Sequence, residues 1–282
     1  MTIVKNISDL SNIIADQYSK SLKIGLVPTM GSLHNGHLSL IKIAKEKCDV
    51  VWVSIFINPT QFNNLKDYES YPKQNLNDIK ILKSVSSSIY VFFPAVNEIY
   101  NKKIVAQKFK FDNINKVLEG KKRPGHFDGV ATIIMKLFKI FKPSMAFFGE
   151  KDYQQTLIVQ YIIDNYFPNI DLIICPTIRN SDGLALSSRN KLISDQSINQ
   201  SKIIFEILNF VKMNFSKIEY NKLIKIVKKR IEAINKFELE YFEIRENITL
   251  NSYDPKNQKN NYRAFICVKI EGVRLIDNLL IN

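Results

Sequence analysis

The sequence predicts an α/β protein built on a doubly wound parallel sheet and completed by a smaller C-terminal α+β domain. Two observations support this prediction. From Lys23 to Asn63, an apolar run, a glycine-containing turn, apolar residues at helical spacing and a second apolar run follow one another. That order is one βαβ unit, and such units build parallel sheets. A further strand, charged turn and helix occur from Met145 to about Asn165, so the βα pattern repeats.

Each element of the N-terminal part follows from the spacing of its apolar residues and from the proline or glycine that ends it. Short apolar runs bounded in this way predict buried strands, and recurrence at three and four residues predicts helices. The predicted ranges are a helix over 4–20, strands over 24–27 and 50–57, a helix over 75–84, a strand over 89–93, a strand-like alternation over 107–111, a loop over 118–129, an apolar helix over 130–141, strands over 145–148 and 170–175 and, between these two, a helix to about 165.

The composition changes after Pro176. Residues 195–236 predict two amphipathic helices, and the three segments LEYFEI, YRAFICVKI and VRLIDNLLI that follow predict strands. We therefore expect two domains, a Rossmann-like domain over 1–176 and a C-terminal α+β lid domain over 177–282.

Composition limits the classes of protein that remain. The chain has 282 residues, 45% of them hydrophobic, and a net charge of +13. The lysines are scattered over helical faces and form no basic stripe interleaved with aromatic residues, so we expect no nucleic-acid partner. The positive charge would still favour an anionic small substrate in a basic cleft. No apolar run approaches the roughly 18 residues of a membrane helix, and the first residues lack a signal-peptide pattern. Three cysteines, an odd number, favour a cytoplasmic location.

The turn after the first strand of the βαβ unit carries the strongest chemical signal. It holds His34 and His37, three residues apart where the helix begins, so both rings can face one point. In open α/β sheets, ligands bind at the carboxyl ends of the strands. Unpaired amides at a helix start favour an anion, and Gly31 and Gly36 permit close backbone approach. The turn therefore predicts a phosphate site.

Two other readings of the histidine pair stay open at this point. The pair could cap the helix, or it could contribute two ligands to a metal ion. Zinc needs a third and a fourth ligand, and the chain offers only His126 and three cysteines that lie in apolar runs. We therefore predict no metal site.

Further candidate residues follow other predicted strands. Gln61 comes directly after the second strand, and Lys151 lies in the turn after the strand over 145–148, where a compact cation suits a phosphate. Two serines followed by Arg189 predict a mobile segment that binds phosphates. The loop over 118–129 combines three consecutive cations with the third histidine.

Five motifs, in order and at consistent spacing, resemble those of the pantoate–β-alanine ligase family. They are VPTMGSLHNGH, VSIFINPTQF, LEGKKRPGHFDGV, FFGEKDYQQ and DGLALSSRN, and YFEI and RLIDN match near the C-terminus. Together they cover most of the chain. The family is in turn similar to class I aminoacyl-tRNA synthetases and nucleotidyltransferases, which share the HxGH turn.

The resemblance implies an ATP-dependent ligation in two steps. Pantoate reacts with ATP to give pantoyl adenylate and pyrophosphate, and β-alanine then displaces AMP to give pantothenate. Mg²⁺ would accompany the ATP phosphates, and the family is typically a homodimer. The ATP-binding residues implied by the matched motifs are Met30, Gly31, Ser32, Leu33, His34, Asn35, Gly36, His37, Gly149, Glu150, Lys151, Asp152, Ile178, Leu186, Ser187, Ser188 and Arg189.

The same matching implies catalytic roles for His37, His34, Lys151 and Arg189. It makes His37 a proton donor, whereas the residue pattern itself supports stabilisation of charge on the phosphates. The residues implied to bind the other substrates are Gln61, Gln155, His126 and Arg123.

Two competing functions share parts of this pattern. A nucleotidyltransferase that acts on a phosphorylated acceptor would have the same HxGH turn, but the NPTQF and GEKDYQQ motifs favour the ligase. A tRNA-binding module would need an anticodon-reading region, for which only the segment after residue 176 is left.

Overall fold

Six parallel strands form the first sheet of the computed structural model, which describes residues 1–86, 88–101, 103–257 and 260–282. Their order across the sheet is β1-β4-β3-β2-β5-β6, with every neighbouring pair parallel. The chain changes direction across the sheet between β2 and β5, which is where doubly wound sheets bind ligands. The strands are β1 Thr2–Val4, β2 Ile24–Thr29, β3 Val50–Ile55, β4 Tyr90–Phe92, β5 Met145–Gly149 and β6 Asp171–Cys175.

Helices cover both faces of this sheet. One face packs against α7, which is buried along most of its length because apolar residues occur on nearly all of its sides. The other face packs against α2 and α4. The helices of this part are α1 Ile7–Ser19, α2 Asn35–Lys47, α3 Leu65–Ser70, α4 Asn75–Val85, α5 Val96–Tyr100, α6 Leu118–Lys122, α7 His126–Phe141 and α8 Tyr153–Tyr166.

A second, antiparallel sheet has its own hydrophobic core. Its order is β7-β8-β9, and α10 and α11 bury their apolar sides in the same cluster. An extra residue, Glu240, interrupts the pairing of β7 with β8 as a β-bulge. The elements of this part are α9 Asp195–Gln200, α10 Ile203–Asn214, α11 Tyr220–Glu232, β7 Phe237–Glu246, β8 Tyr262–Ile270 and β9 Val273–Leu280.

The predicted fold class is confirmed, and three local predictions are wrong. Residues 107–111 form no strand, because α7 side chains bind their backbone. Gln107 N donates to Thr132 Oγ1 at 2.8 Å and Phe109 N to Asp128 Oδ1 at 3.1 Å. The predicted loop over 118–129 contains α6 and the first turn of α7, and the range 195–236 holds three helices instead of two.

The remaining differences are short elements. The sequence pattern did not predict β1, α3 and α5, which have three, six and five residues. Elements this short contain too few residues for a hydrophobic period to be recognised. Within the described ranges, no helix is long and apolar enough to cross a membrane.

Candidate active site

A cleft of about 650 Å³ opens above the carboxyl ends of β2 and β5, and side chains of β7, β8 and β9 form its opposite wall. Most of the predicted site residues line it. Those that do not are Gly31, Ser32, Leu33, Asn35 and Glu150. The predicted residues that do are Met30, His34, Gly36, His37, Gln61, Arg123, His126, Gly149, Lys151, Asp152, Gln155, Ile178, Leu186, Ser187, Ser188 and Arg189.

The two histidines of the turn lie side by side at the start of α2. Their ring centroids are 4.1 Å apart. His34 is the N-cap residue, and its Nδ1 accepts the backbone N–H of Gly36 at 3.1 Å. His37 Nδ1 accepts the backbone N–H of His34 at 3.3 Å. A neutral imidazole whose Nδ1 accepts must carry its proton on Nε2, so each ring offers one Nε2–H donor.

Burial and neighbouring charge keep both rings neutral. Burial, followed by the charge of Lys151, lowers the pKa of His34 from 6.5 to about 4. Burial, His34 and Lys151 hold the pKa of His37 well below its usual value. At neutral pH the pair therefore acts as two hydrogen-bond donors without adding positive charge.

The expectation of unpaired amides is wrong for most N–H groups of this turn, although that of Asn35, at the first position of α2, has no hydrogen-bond partner among the described residues. The carboxylate of Asp78, from α4, is fully buried and accepts the backbone N–H groups of Ser32 at 2.8 Å and Leu33 at 2.7 Å. Further N–H groups of the turn are bound by Thr29 Oγ1, the two imidazoles and the carbonyl of His34. An incoming anion therefore meets imidazole donors and cations, and the turn itself is held rigid by Asp78.

Gly31 is required at the centre of this turn. Its φ is +77°, in the left-handed region that favours glycine. A Cβ added there would lie 3.0 Å from Asp78 Oδ2 and 3.1 Å from Ile55 Cγ2. The close approach of the Asp78 carboxylate thus depends on the missing side chain.

Gln61 lies at the end of a 3₁₀ turn, Pro59–Gln61, that follows β3. It is nearly buried at 7% exposure, and its Oε1 accepts from Asn58 Nδ2 at 2.9 Å. Its Nε2 is 3.1 Å from Met30 Sδ. Asn58, which sequence reasoning missed, is fully buried and also donates to the carbonyl of Gly129 at 3.1 Å. Its position at the start of the NPTQF motif was the available signal.

Arg123 and His126 both bind the backbone carbonyl of Gln61. His126 Nδ1 is 2.7 Å and Arg123 NH2 is 3.3 Å from that oxygen. Since the carbonyl can only accept, His126 Nδ1 carries the proton, and its Nε2 accepts from Arg123 NH1 at 3.3 Å. Burial and the neighbouring Arg123 charge lower the pKa of His126 to about 3. These two residues hold the Gln61 segment in place.

The turn after β5 presents Lys151 to the cleft. Lys151 Nζ is 3.2 Å from Asp152 Oδ1, and its side chain is 17% exposed. Asn278 of β9 donates to the carbonyls of Glu150 at 3.0 Å and Lys151 at 2.8 Å. Glu150 faces away from the cleft because Arg263 binds its carboxylate at 2.9 Å. The neighbouring Gln155 forms no side-chain hydrogen bond with the described residues, so its amide is available to a ligand.

The serine–serine–arginine segment lines the cleft, and Ser188–Leu192 forms a 3₁₀ helix. Ser188 Oγ donates to the carbonyl of Ser32 at 3.0 Å. The Arg189 guanidinium binds both oxygens of Asp67 in α3, at 2.9 and 3.2 Å. The segment is therefore held against the N-terminal half of the chain by contacts that an incoming anion would have to replace or extend.

A cluster of three charged residues joins the two halves of the chain at the opposite side of the cleft. Arg274 of β9 binds both oxygens of Glu119 at 2.7 and 2.6 Å and also donates to Glu240. Glu119, Glu240 and Cys267 place potential metal ligands within 4.8 Å of one another. Because Arg274 already donates to both carboxylates, we assign this cluster to the closure of the cleft and not to a metal ion.

The fold and the cleft define an α/β protein with imidazole and cationic side chains gathered at the switch point of a parallel sheet, where such folds bind ligands. The comparisons with known proteins refine this class. The family model for pantoate-beta-alanine ligase matches residues 2–280, and the chain belongs to that family. The predicted family is thereby confirmed.

Individual relatives agree over nearly their whole length. A pantothenate synthetase from Christiangramia forsetii is 42% identical over 264 residues, which cover 94% of this chain and 93% of the relative. The crystal structure of pantothenate synthetase from Thermus thermophilus is 30% identical with a TM-score of 0.88, covering 100% and 99% of the two chains. A Francisella tularensis pantoate-beta-alanine ligase, crystallised with beta-gamma ATP and beta-alanine, is 39% identical with a TM-score of 0.81, covering 99% and 97%.

Proposed function

We propose that this enzyme condenses pantoate with β-alanine at the expense of ATP, giving pantothenate, AMP and pyrophosphate through a pantoyl adenylate. One observation carries the proposal beyond family membership. The two imidazoles, Lys151 and Gln61 come from three different segments of the chain and line one cleft at the switch point of the sheet. In that arrangement, groups suited to bind phosphate lie in the same cleft as the side-chain amide of Gln61. Formation of an adenylate requires this, because the nucleotide and the small acid must be bound side by side.

In the first step an oxygen of the pantoate carboxylate attacks the α-phosphorus of ATP. The bond from that phosphorus to the bridging oxygen breaks, and pyrophosphate leaves. Such a displacement needs alignment and charge stabilisation more than covalent help from the protein. The Nε2–H donors of His34 and His37 and the ammonium of Lys151 would bind the phosphate oxygens. Arg189 would leave Asp67, or keep part of that contact, and bind the leaving pyrophosphate.

In the second step the amine of β-alanine attacks the acyl carbon of pantoyl adenylate. The bond from that carbon to the AMP oxygen breaks, and the amine loses a proton as the amide forms. AMP is a far better leaving group than the oxide of a free carboxylate, which is why adenylation comes first. The same cleft therefore serves both steps while the adenylate stays bound.

The residues proposed to bind ATP are those of the matched motifs. They include five that do not line the cleft, and these five are kept in the proposed set only because they belong to the matched motifs. The set is Met30, Gly31, Ser32, Leu33, His34, Asn35, Gly36, His37, Gly149, Glu150, Lys151, Asp152, Ile178, Leu186, Ser187, Ser188 and Arg189.

Pantoate is proposed to bind to the amides of Gln61 and Gln155. Gln61 Oε1 is engaged by Asn58, so its Nε2 is the group directed at the substrate. Arg123 and His126 act on the same segment through the Gln61 carbonyl. β-Alanine is proposed to bind next to Gln61, between that residue and the adenylate.

Mg²⁺ is proposed to enter with ATP as part of the substrate and to neutralise phosphate charge. Asp152 fits an ion at that place because its carboxylate lines the cleft and its side chain is 48% exposed. We further propose a Rossmann-like domain over 1–176, a lid domain over 177–282, a homodimer, a cytoplasmic location and no nucleic-acid partner.

Product analysis tests the proposed function. The protein is incubated with ATP, Mg²⁺, D-pantoate and β-alanine, and we expect pantothenate and AMP in equal amounts. A Lys151→Ala variant should lose roughly 10²- to 10³-fold in rate, as for other donors aimed at developing charge, while Lys121→Ala on the exposed side of α6 should match the wild type. Transfer of AMP to a phosphorylated acceptor, without pantothenate, would instead identify a nucleotidyltransferase.

A further inference from the structure

Arg123 is a cation in the cleft whose hydrogen bonds leave most of its donors unused. Its side chain is 19% exposed. It donates one hydrogen bond to Nε2 of His126 and one to the carbonyl of Gln61, each at 3.3 Å. A guanidinium has five N–H donors, so three have no hydrogen-bond partner among the residues that the structure describes.

The charge of Arg123 is also poorly compensated compared with the other cations of the cleft. Arg189 is bound to both oxygens of Asp67, and Lys151 is 3.2 Å from Asp152. The nearest carboxylate oxygen to Arg123 belongs to Glu119, at 3.8 Å. That carboxylate is already bound by both terminal nitrogens of Arg274 and by the Tyr241 hydroxyl, the latter at 2.9 Å.

Nearby arginines add to the local positive charge. Burial lowers the pKa of Arg123, and the charges of Arg274 and Arg189 lower it further, against the opposing charge of Glu119. An arginine remains protonated under these conditions. A partly buried, permanently charged guanidinium with free donors suits a carboxylate that can accept two parallel hydrogen bonds.

Three anions enter the reaction of the proposed function, and only one suits a permanent cation at this position. The carboxylate of pantoate loses its charge on adenylation, so a fixed cation bound to it would stabilise the ground state more than the transition state. The phosphates already have the histidine pair after β2, Lys151 after β5 and Arg189 of the Ser188–Leu192 segment as proposed binding groups. The carboxylate of β-alanine keeps its charge throughout and persists in the product.

We propose that the Arg123 guanidinium is the receptor for the carboxylate of β-alanine, an assignment that rests on the proposed function. His126 and the Gln61 carbonyl bind two of the guanidinium N–H groups, and Arg123 lines the cleft, where its remaining donors would bind the carboxylate. Binding the carboxylate beside Gln61 leaves the amine, two methylene groups away, directed at the adenylate. Selection of the acceptor amine thus depends on a charge at the far end of the acceptor molecule.

The experiment compares β-alanine with its neutral analogue β-alaninamide as the acceptor amine. In the wild type and in Arg123→Gln, Arg123→Lys and Lys121→Gln, kcat/KM is measured for both amines, and pantoate-dependent exchange of pyrophosphate into ATP is measured without any amine. We expect Arg123→Gln to lower kcat/KM for β-alanine roughly 10- to 100-fold more than it lowers kcat/KM for β-alaninamide, because both amines lose the contact to the Gln61 carbonyl but only β-alanine loses its carboxylate partner. Arg123→Lys should keep much of the preference, and Lys121→Gln should keep all of it.

A purely structural role for Arg123 predicts a different outcome. Loss of the contact to the Gln61 carbonyl would slow both amines alike, and an unchanged ratio in Arg123→Gln would overturn the proposal. If that variant does not fold, equal kcat/KM values for the two amines in the wild type would overturn it as well. Absence of pyrophosphate exchange in the wild type would instead contradict the proposed function itself.

Discussion

The start of helix α2 fixes the protonation state of both site histidines. Each Nδ1 accepts a backbone N–H of the same turn, and this contact is lost if the nitrogen becomes protonated. Burial adds to the effect, with the pKa of His34 lowered to about 4. We therefore interpret His37 as a neutral donor to phosphate oxygen, and not as the proton donor that the family resemblance implies.

The pH dependence of adenylation distinguishes these two roles. With both pKa values below 6.5, the imidazoles are neutral at pH 6.5 and above, so the exchange rate should be flat from about pH 7 to pH 9. Stability contributed by neutral His34 should likewise be complete above 6.5 and decline as the pH falls toward about 4. A rate that falls as the pH rises through 7 would indicate an imidazolium acid. The measurement is pyrophosphate exchange at constant ionic strength.

The buried carboxylate of Asp78 controls the shape of the turn before α2. An Asp78→Asn substitution leaves one acceptor oxygen for two backbone N–H groups, and an unsatisfied buried donor costs about 1–3 kcal/mol. We expect a lower midpoint in denaturant and a higher KM for ATP, because the histidines are attached to this turn. Asp164→Asn on the exposed side of α8 is the matched control. Wild-type stability in Asp78→Asn would show that the turn does not depend on the carboxylate.

The sequence predicts correctly those elements whose pattern is contained in one continuous segment. It does not predict contacts between residues that are far apart in the chain. The apolar runs of β2, β3 and β5 and the HxGH turn were predicted because strand, turn and helix are contiguous. The partners of that turn lie far along the chain, as Asp78 does from Ser32. A lone aspartate in a polar helix carries no local sign of such a contact. The same holds for Asp67, whose pairing with Arg189 spans more than a hundred residues.

The prediction of a strand over 107–111 is wrong for a related reason. Its alternating phenylalanines resemble a half-buried strand, and Phe109 and Phe111 do stack, with ring centroids 5.4 Å apart. The backbone N–H groups of Gln107 and Phe109 are bound by α7 side chains in place of a neighbouring strand. The alternation of phenylalanines with polar residues therefore indicates correctly which side chains are buried, but it does not indicate the secondary structure.

The two sheets meet across the cleft through charged and amide groups. Glu119 with Arg274, Glu150 with Arg263, and the carbonyls near Lys151 with Asn278 connect the N-terminal part to strands β8 and β9. These contacts position the loop that carries Lys151, so the second sheet contributes to the site as well as covering it. A small buried apolar cluster, Val117, Leu118, Tyr153, Leu250 and Phe265, also joins the two parts, so this interface combines polar and apolar contacts.

We expect two copies of the chain to associate in solution. One of the two outer edges of the parallel sheet is β6, where Ile174 is 43% exposed, and unpaired strand edges with apolar side chains favour pairing with another chain. Light scattering at micromolar concentration should give about 65 kDa, twice the chain mass of 32.7 kDa. A mass near that of one chain would contradict the dimer and leave the chemistry unaffected.

Tracing one carboxylate oxygen of pantoate tests whether a pantoyl adenylate forms. Pantoate is prepared with a heavy oxygen isotope in its carboxylate and converted by the wild-type enzyme with ATP, Mg²⁺ and β-alanine. Attack of the carboxylate on the α-phosphorus predicts one labelled oxygen in AMP and the other in the amide carbonyl of pantothenate. Label in orthophosphate together with ADP, or AMP that carries no label, would contradict an adenylate formed in this cleft.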